Sequence, residues 1–308
     1  MTAGADRFEG GATMLRDAAI EHARACFLRA CELDVAVRKP GNVSRASAGH
    51  GMHADLFSAS AQAAAGPLFR AGAGLGERIE AAVEATWAVA GCNTNLGIVL
   101  VCAPIALAVE RAPAADAAAA LRREIESVLA ASTLADAEAA YRAITRARPG
   151  GLGSAPAQDV NAAPSIDLRR AMALAAPRDR IARQYRDACA ELFDLGVPAL
   201  GKGFSLSAAD ALAAPGSASI AAVQRLYLTL LASAPDSHIV RIHGEPVAHI
   251  VMSAAQGFLA RAHAGETLDA DPAFQAWDAA LKDRRINPGT TADLTVATLL
   301  IAGLTGGR

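Results

Sequence analysis

Three polar turns, each standing before a predicted helix, carry the residue types that could bind a phosphate. The last of them begins the stretch 286–304, INPGTTADLTVATLLIAGL. A proline and a glycine interrupt regular structure there, and a threonine can cap the helix that follows. Free N–H groups and the helix dipole favour an anion at such a turn. We therefore assign phosphate binding to the residues of this turn, Asn287, Gly289, Thr290 and Thr291.

A carboxylate, Asp293, follows in the first turn of that helix. Beside a bound phosphate, a carboxylate suits Mg²⁺ better than it suits the anion itself, because Mg²⁺ prefers oxygen ligands and is usually shared with substrate phosphates. We therefore predict that Asp293 is a metal ligand. The alternative is that Thr290 and Asp293 form only a capping pair, since [ST]-x-x-[DE] is a common cap signature.

The turn KPGNVS follows the first predicted helix, which spans 14–37. Its proline disfavours the α conformation at the preceding residue, and its glycine lets the backbone turn. We assign phosphate or other polar contacts to Lys39, Gly41, Asn42 and Ser44. The alternative for the lysine is that it only complements the helix dipole. The loop continues through His50, His53 and Asp55, whose spacing matches no zinc pattern, and Asp55 can instead cap the next helix.

The turn NTNLG at 93–97 leads into a helix that is apolar on all sides, LGIVLVCAPIALAV. A helix of this kind belongs in the middle of the molecule. The polar side chains before it are drawn inside with it and need hydrogen-bond partners. Because capping satisfies one of them, we predict a ligand-facing turn, with capping alone as the alternative. Its residues are Asn93, Thr94 and Asn95.

Two charged clusters later in the chain add candidates. Asp179 stands among arginines after Pro177 and is predicted to bind metal, with a solvated face of Asp–Arg pairs as the alternative. In PDSHIVRIHG, Asp236, His238 and Arg241 lie close together and could serve one site. The alternative for the histidine is a hydrogen-bonded core residue.

The composition predicts an all-α protein, since 53% of the 308 residues are hydrophobic and alanine, the best helix former, dominates. The formal net charge of −2 argues against a nucleic-acid-binding protein, which would normally carry a basic surplus. Five cysteines without a C-x-x-C pair indicate reduced thiols in a cytoplasmic protein. The N-terminus lacks the apolar region of a signal peptide, and no apolar run is long enough to span a membrane.

The helical pattern predicts one large domain with buried central helices over residues 13–308, after a loose tail over residues 1–12. Residues 148–165, RPGGLGSAPAQDVNAAPS, form the longest break, either a linker or a functional loop. The segment IVRIHG alternates weakly, but with no second strand to pair with it is predicted to be helical, broken at Gly244–Pro246. The Ala-rich helices could support a homodimer.

In their order along the chain, the turns KPGNVS, NTNLG and INPGTTADLT resemble the CitG family, the triphosphoribosyl-dephospho-CoA synthases. The similarity extends to DLFSASA at 55–61, AAPRDRIARQY at 175–185 and PDSHIVRIHG at 235–244. The resemblance implies an all-α enzyme that converts ATP and 3′-dephospho-CoA to 2′-(5″-triphosphoribosyl)-3′-dephospho-CoA and releases adenine. That product is the precursor of the prosthetic group of citrate lyase and malonate decarboxylase.

The chain resembles one branch of this family more than another. At the second turn, members that act for citrate lyase have a sequence similar to NTHKG. The KPGNVS and NTNLG sequences resemble those of a second branch, which is found in archaea and in bacteria with tetrahydromethanopterin-linked one-carbon genes. Leu96 stands where the first branch has a lysine, which removes one candidate phosphate contact.

The resemblance also implies roles. Displacing adenine at the anomeric carbon passes through an oxocarbenium-like state, so the enzyme needs phosphate contacts, Mg²⁺ ligands and a base for the incoming hydroxyl. Replacing Lys39 or Asp293 by alanine is expected to abolish turnover without changing the helical circular dichroism signal. The implied roles are phosphate contacts from Lys39, Arg241 and the turn 289–291, ribose or base contacts from Asn42, Asn93 and Asn95, Mg²⁺ at Asp179 and Asp293, and a general base at Asp236 or Asp55.

Two other functions remain open from the sequence. The first keeps ATP and changes the acceptor to a precursor of a one-carbon cofactor such as a methanopterin or methanofuran. The second is a non-catalytic, nucleotide-binding helical subunit. Against the second, a scaffold has no physical need for polar side chains beside buried helices.

Overall fold

Helices account for the fold of the computed structural model, which describes residues 5–113, 117–206 and 214–306. Within these ranges no strand forms, so the predicted all-α class is confirmed. The helices are α1 (Ala5–Ala36), α2 (Ala54–Leu68), α3 (Leu75–Ala90), α4 (Leu96–Arg111), α5 (Ala118–Ala130), α6 (Leu134–Ala147), α7 (Leu168–Ala175), α8 (Arg180–Arg186), α9 (Val197–Leu200), α10 (Ser217–Ser233), α11 (Ser237–His243), α12 (Glu245–His263), α13 (Pro272–Asp283) and α14 (Gly289–Thr305), with a π-helical turn at Leu192–Gly196.

The two apolar helices, α4 and α14, lie at the centre, as predicted. They pack against each other and against α1, and α4 is buried without interruption from Ile98 to Val109. Two buried threonines of α14, Thr295 and Thr298, donate their hydroxyl hydrogens to the carbonyls four residues earlier, both at 2.8 Å. The central helices therefore bury polar residues at low cost, because each hydroxyl has a partner.

A second apolar cluster joins α10, α12 and α13 and supports the turns on which the candidate site is built. Its aromatic residues are in direct contact, with the rings of Phe258 and Trp277 stacked at 5.0 Å between centroids. The fully buried Tyr227 belongs to this cluster and donates its hydroxyl hydrogen to the carbonyl of Pro40 at 2.8 Å. This contact fixes the KPGNVS turn against the second cluster.

The first helix begins earlier than the sequence predicted. Residues 5–12 are helical, whereas we expected a loose tail there, and residues 1–4 lie outside the described residues. A helix of 32 residues propagates through weak helix formers such as Gly10 and Gly11 once it is nucleated.

Two other predictions about the elements hold. No helix occupies 148–165, which connects α6 to α7 as a long loop. The IVRIHG segment is helical as far as His243, and α12 begins at Glu245 after a break at Gly244. In the ranges that the structure describes, no helix combines the length and the apolar character needed to cross a membrane.

Candidate active site in an acidic cavity

A cavity of about 450 Å³ opens where α4 and α14 begin, beside the start of α8 and the helix α11. The loop between α6 and α7 forms one of its walls. The structure brings ten of the predicted site residues together around this cavity: Asn42, Asn93, Thr94, Asn95, Asp179, Arg241, Asn287, Gly289, Thr290 and Asp293. The three polar turns that are distant in sequence therefore meet at one place.

The first and last turns are joined by a side-chain hydrogen bond, in which Asn42 donates from Nδ2 to Oδ1 of Asn287 at 2.9 Å. Gly41 makes their close approach possible. Its φ of +82° favours glycine, and a Cβ there would lie 2.7 Å from Cδ of Pro288. Its N–H donates to Oδ1 of Asp278 at 2.9 Å. Gly41 thus serves the packing of two turns rather than the phosphate contact that we predicted.

The NTNLG turn is held partly by capping and partly by α2. The side chain of Asn93 accepts the N–H of Leu96 at 3.1 Å, which caps the first turn of α4. Thr94 donates its hydroxyl hydrogen to Oγ of Ser60 at 2.7 Å. Because these bonds use only some of the polar atoms of the turn, its remaining donors and acceptors are available to the cavity.

Lys39 and Ser44 are placed elsewhere than the sequence suggested. The lysine is fully buried, with Nζ 3.1 Å from Oδ1 of Asp34, and it also donates to the main-chain carbonyl of Asp34. Its long side chain folds back onto the end of α1, and it does not line the cavity. Ser44 is also buried away from the cavity, and its main chain bridges Ser47. Neither residue is placed to contact a phosphate in the cavity.

Neither predicted general base faces the cavity. Asp236 is fully buried and accepts four hydrogen bonds, from the N–H groups of His238 (2.9 Å) and Ile239 (3.1 Å) and from the N–H and hydroxyl of Thr291, both at 2.7 Å. It joins the start of α11 to the start of α14, and Thr291 is used in the same bond rather than in a phosphate contact. The side chain of Asp55 is 93% exposed, 3.5 Å from Arg45.

Asp179 combines a cap with an ion pair. Its Oδ1 accepts the N–H groups of Ile181 at 2.8 Å and Ala182 at 3.2 Å, and its Oδ2 lies 2.7 Å from Nη1 of Arg241. Both side chains line the cavity. The pair places a carboxylate and a guanidinium side by side on one wall, where each can meet a ligand of opposite charge.

Asp293 lies against the start of α4. A Cβ at Gly97 would be only 2.0 Å from Oδ2 of Asp293, so the carboxylate occupies space that glycine alone leaves free. Burial raises the pKa of Asp293 well above its ordinary value, the carboxylates of Asp34, Asp236 and Asp179 raise it further, and Arg241 opposes them. The charged form of Asp293 is therefore favoured by a cation in the cavity.

The structure adds cavity residues to which we had assigned no role from the sequence. Asp34 comes from α1, and the sequence of a long helix does not show which way a single carboxylate points. Burial raises the pKa of Asp34, and Lys39 opposes the rise. His238 comes from the PDSHIVRIHG segment, where a single histidine was ambiguous. Two further charged groups line the cavity: Asp159 comes from the long loop, and Arg178 comes from the turn between α7 and α8.

Among the described side chains, no group of three or more His, Cys, Asp or Glu forms a metal site by itself. Four carboxylates nevertheless line the cavity against two arginines: Asp34, Asp159, Asp179 and Asp293 against Arg178 and Arg241. Mg²⁺ is usually bound through one or two carboxylates together with substrate phosphates and water. The donor set therefore fits a Mg²⁺ ion that arrives with a nucleotide better than a metal held by the protein alone.

The comparisons with known proteins agree with this architecture. A crystal structure of a proposed triphosphoribosyl-dephospho-CoA synthase from Archaeoglobus fulgidus has a similar fold, with a TM-score of 0.61 and 19% sequence identity, over 81% of this chain and 99% of that one. A search of the curated proteins gave no match. The model of the CitG family, described as ATP:dephospho-CoA triphosphoribosyl transferase, matches residues 20–308. Because this match spans nearly the whole sequence, the chain belongs to the CitG family of transferases.

Proposed function

We propose that the protein transfers the triphosphoribosyl group of ATP to the 2′-hydroxyl of 3′-dephospho-CoA and releases adenine. The observation that carries this proposal is the meeting of the family's three polar turns around one cavity, which carboxylates and arginines also line. The cavity has polar groups at the helix starts and apolar side chains such as Met172 and Leu174 farther along α7. A nucleotide has a charged phosphate end, which suits the polar helix starts, and an uncharged base, which suits the apolar side chains.

The starts of α4 and α14 supply the groups that a triphosphate needs. The first N–H groups of a helix have no partner within the helix, and the helix dipole adds partial positive charge there. Gly97 and Ile98 of α4 and Gly289 and Thr290 of α14 line the cavity in these first turns. Arg241 adds a guanidinium, which suits a phosphate oxygen. We therefore assign the phosphates to this end of the cavity.

The excess of carboxylates implies that the triphosphate enters with Mg²⁺. A polyanion would otherwise be repelled by Asp293, Asp179 and Asp34. We assign the ion to Asp293 and Asp179, and Mg²⁺ bound there would neutralise charge on the phosphates. The amides of Asn42, Asn93 and Asn95 then remain for the ribose and the adenine edge, which they can orient by donating and accepting hydrogen bonds.

Chromatography of free adenine tests the proposal. Purified protein is incubated with ATP, Mg²⁺ and 3′-dephospho-CoA, with each component omitted in turn, and Asp293→Asn is run beside the wild type. We expect adenine release that requires all three components and a loss of at least about 10²-fold in the variant, because transition-state charge would lose its neutralising partner. Adenine release by the variant at the wild-type rate would remove Asp293 from the assignment.

A second candidate keeps the ATP site and changes the acceptor. Leu96 lines the cavity and is almost fully buried. It stands at the position where the sequence typical of the citrate-lyase branch has a lysine. An apolar residue there favours an acceptor with less negative charge near the start of α4, such as a precursor of a one-carbon cofactor. Protein that binds ATP with Mg²⁺ but releases adenine only with such a precursor would establish this second candidate.

A further inference from the structure

The proposed transfer needs a group that takes the proton of the acceptor hydroxyl, and most carboxylates of the cavity are already engaged. Asp179 is shared between a helix cap and Arg241. Asp159 accepts the main-chain N–H groups of Ala155 and Asn161, which lower its pKa. Asp34 is paired with the buried Lys39. A carboxylate that accepts hydrogen bonds or an ion pair is a poorer proton acceptor, because its charged form is stabilised.

His238 offers an unengaged proton acceptor. It is the second residue of α11 and lines the cavity. Its ring stands over the start of α14: a Cβ at Gly289 would lie 3.5 Å from Cγ and 3.7 Å from Nδ1 of the imidazole. Its main-chain N–H is fixed by Asp236. Among the described residues, neither ring nitrogen has a hydrogen-bond partner, so the imidazole is oriented by its backbone and its nitrogens are left for a ligand.

We infer that His238 is the general base that accepts the proton of the acceptor hydroxyl, an inference that rests on the proposed transfer. A second geometric feature supports it. The ring lies within van der Waals distance of a Cβ placed at Gly289, and Asn287 and Thr290 of the same turn line the cavity beside it. An acceptor oxygen bound next to the phosphate-binding turn would therefore be within reach of the imidazole.

The surroundings of the imidazole favour its neutral form. Burial lowers the pKa of His238 below its ordinary value near 6.5, and Asp236 opposes this effect. Three cationic or titratable neighbours, Arg241 on the same helix, His50 on the loop after the KPGNVS turn and His243 at the end of α11, lower the pKa further. A neutral histidine near pH 7 is able to accept a proton without first losing one.

The acceptor O–H bond breaks and its proton moves to a ring nitrogen of His238, while the oxygen forms a bond to the anomeric carbon of the ATP ribose. The bond from that carbon to N9 of adenine breaks, and its electron pair leaves with adenine. Adenine then takes up one proton, from the imidazolium or through water, and the neutral imidazole returns. No oxidant or reductant is needed.

The test compares His238→Gln with His249→Gln, a matched change at an exposed histidine of α12. Adenine release is measured with ATP, Mg²⁺ and 3′-dephospho-CoA across roughly pH 5 to 8, the range in which a histidine titrates. We expect kcat of His238→Gln to fall by about 10²–10⁴-fold, with KM for ATP close to the wild-type value. The wild-type rate should fall on the acid side as His238 is protonated, and this acid limb should be absent in the variant.

A second variant separates a base from a positioning residue. His238→Ala leaves space for a small molecule, and added imidazole should restore part of its rate if a proton acceptor is what was lost. Rates close to wild type in His238→Gln, an unchanged acid limb, or no rescue of His238→Ala would each overturn the inference while the transfer itself stands. If the wild-type protein releases no adenine, the proposed function fails and the inference fails with it.

Discussion

Replacing Gly97 by alanine tests the contact on which the assignment of Asp293 depends. The added methyl carbon would lie 2.0 Å from Oδ2 and 2.5 Å from Cγ of Asp293, distances at which one of the two groups must move. The carboxylate is the group that can rotate, because the backbone of α4 is fixed in the apolar core. Gly97→Ala should therefore displace Asp293 from its position without removing it.

Two opposing effects determine how much Gly97→Ala changes the free energy of unfolding. At an unhindered helix position, Gly→Ala stabilises the folded state by about 0.4–1 kcal/mol, because the unfolded chain loses conformational freedom. Inserting a methyl group into a packed site costs about 1–3 kcal/mol. The net effect of Gly97→Ala is a loss between about zero and 2.5 kcal/mol. Gly257 in α12 is the matched control, since a Cβ there meets nothing within 4 Å, and its replacement should be stabilising.

Urea unfolding and the binding of ATP with Mg²⁺, followed by thermal shift, measure both consequences. We expect Gly257→Ala to raise the free energy of unfolding and to bind the nucleotide as the wild type does. Gly97→Ala should lower the free energy of unfolding and weaken binding at least about tenfold, which corresponds to about 1.4 kcal/mol. If Gly97→Ala is stabilised as much as the control and binds ATP normally, the carboxylate does not lie against α4.

Three further predictions concern buried groups. Lys39→Met should lower the free energy of unfolding by about 3–5 kcal/mol, measured by urea denaturation, because it leaves the buried Asp34 unpaired; unchanged stability would contradict the pairing. Asp236→Asn should cost about 1.5–3 kcal/mol because an amide cannot accept all four hydrogen bonds, while the folded fraction keeps most of its activity; inactive but fully stable protein would restore Asp236 as a base. A thiol reagent at pH 8 should label Cys92 first and Cys189 only on unfolding, because burial raises the pKa of Cys189 to about 12; early labelling of Cys189 would refute its burial.

The positions of the polar turns that line the cavity could be predicted because their signals are local. Asn93 and Asn287 stand directly before helices that are too apolar to lie at the surface, so we expected their polar side chains to be drawn inward, and both are partly buried and line the cavity. The same reasoning found Asp293, one turn into the last helix. These residues meet at one cavity because the helices that they precede pack together.

The directions of long or lone side chains could not be predicted in this way. Lys39 in a Pro-Gly turn is typical of a phosphate ligand, but only the tertiary structure shows that it folds back to Asp34 five residues earlier. The family resemblance implied that Asp236 was a candidate general base. Its four hydrogen bonds, two of them to Thr291, which is distant in sequence, show that it holds two helices together instead.

The ratio of free adenine to new acceptor adduct, measured by chromatography and mass spectrometry in one sample of protein, ATP, Mg²⁺ and 3′-dephospho-CoA, tests the central claim most directly. The proposed transfer predicts one adenine for each dephospho-CoA that has gained a triphosphoribosyl group. Adenine without the adduct would mean that water is the acceptor. Bound ATP with neither product, or with ADP or pyrophosphate instead, would contradict transfer to dephospho-CoA and leave the cavity as the site of a different ATP-dependent reaction.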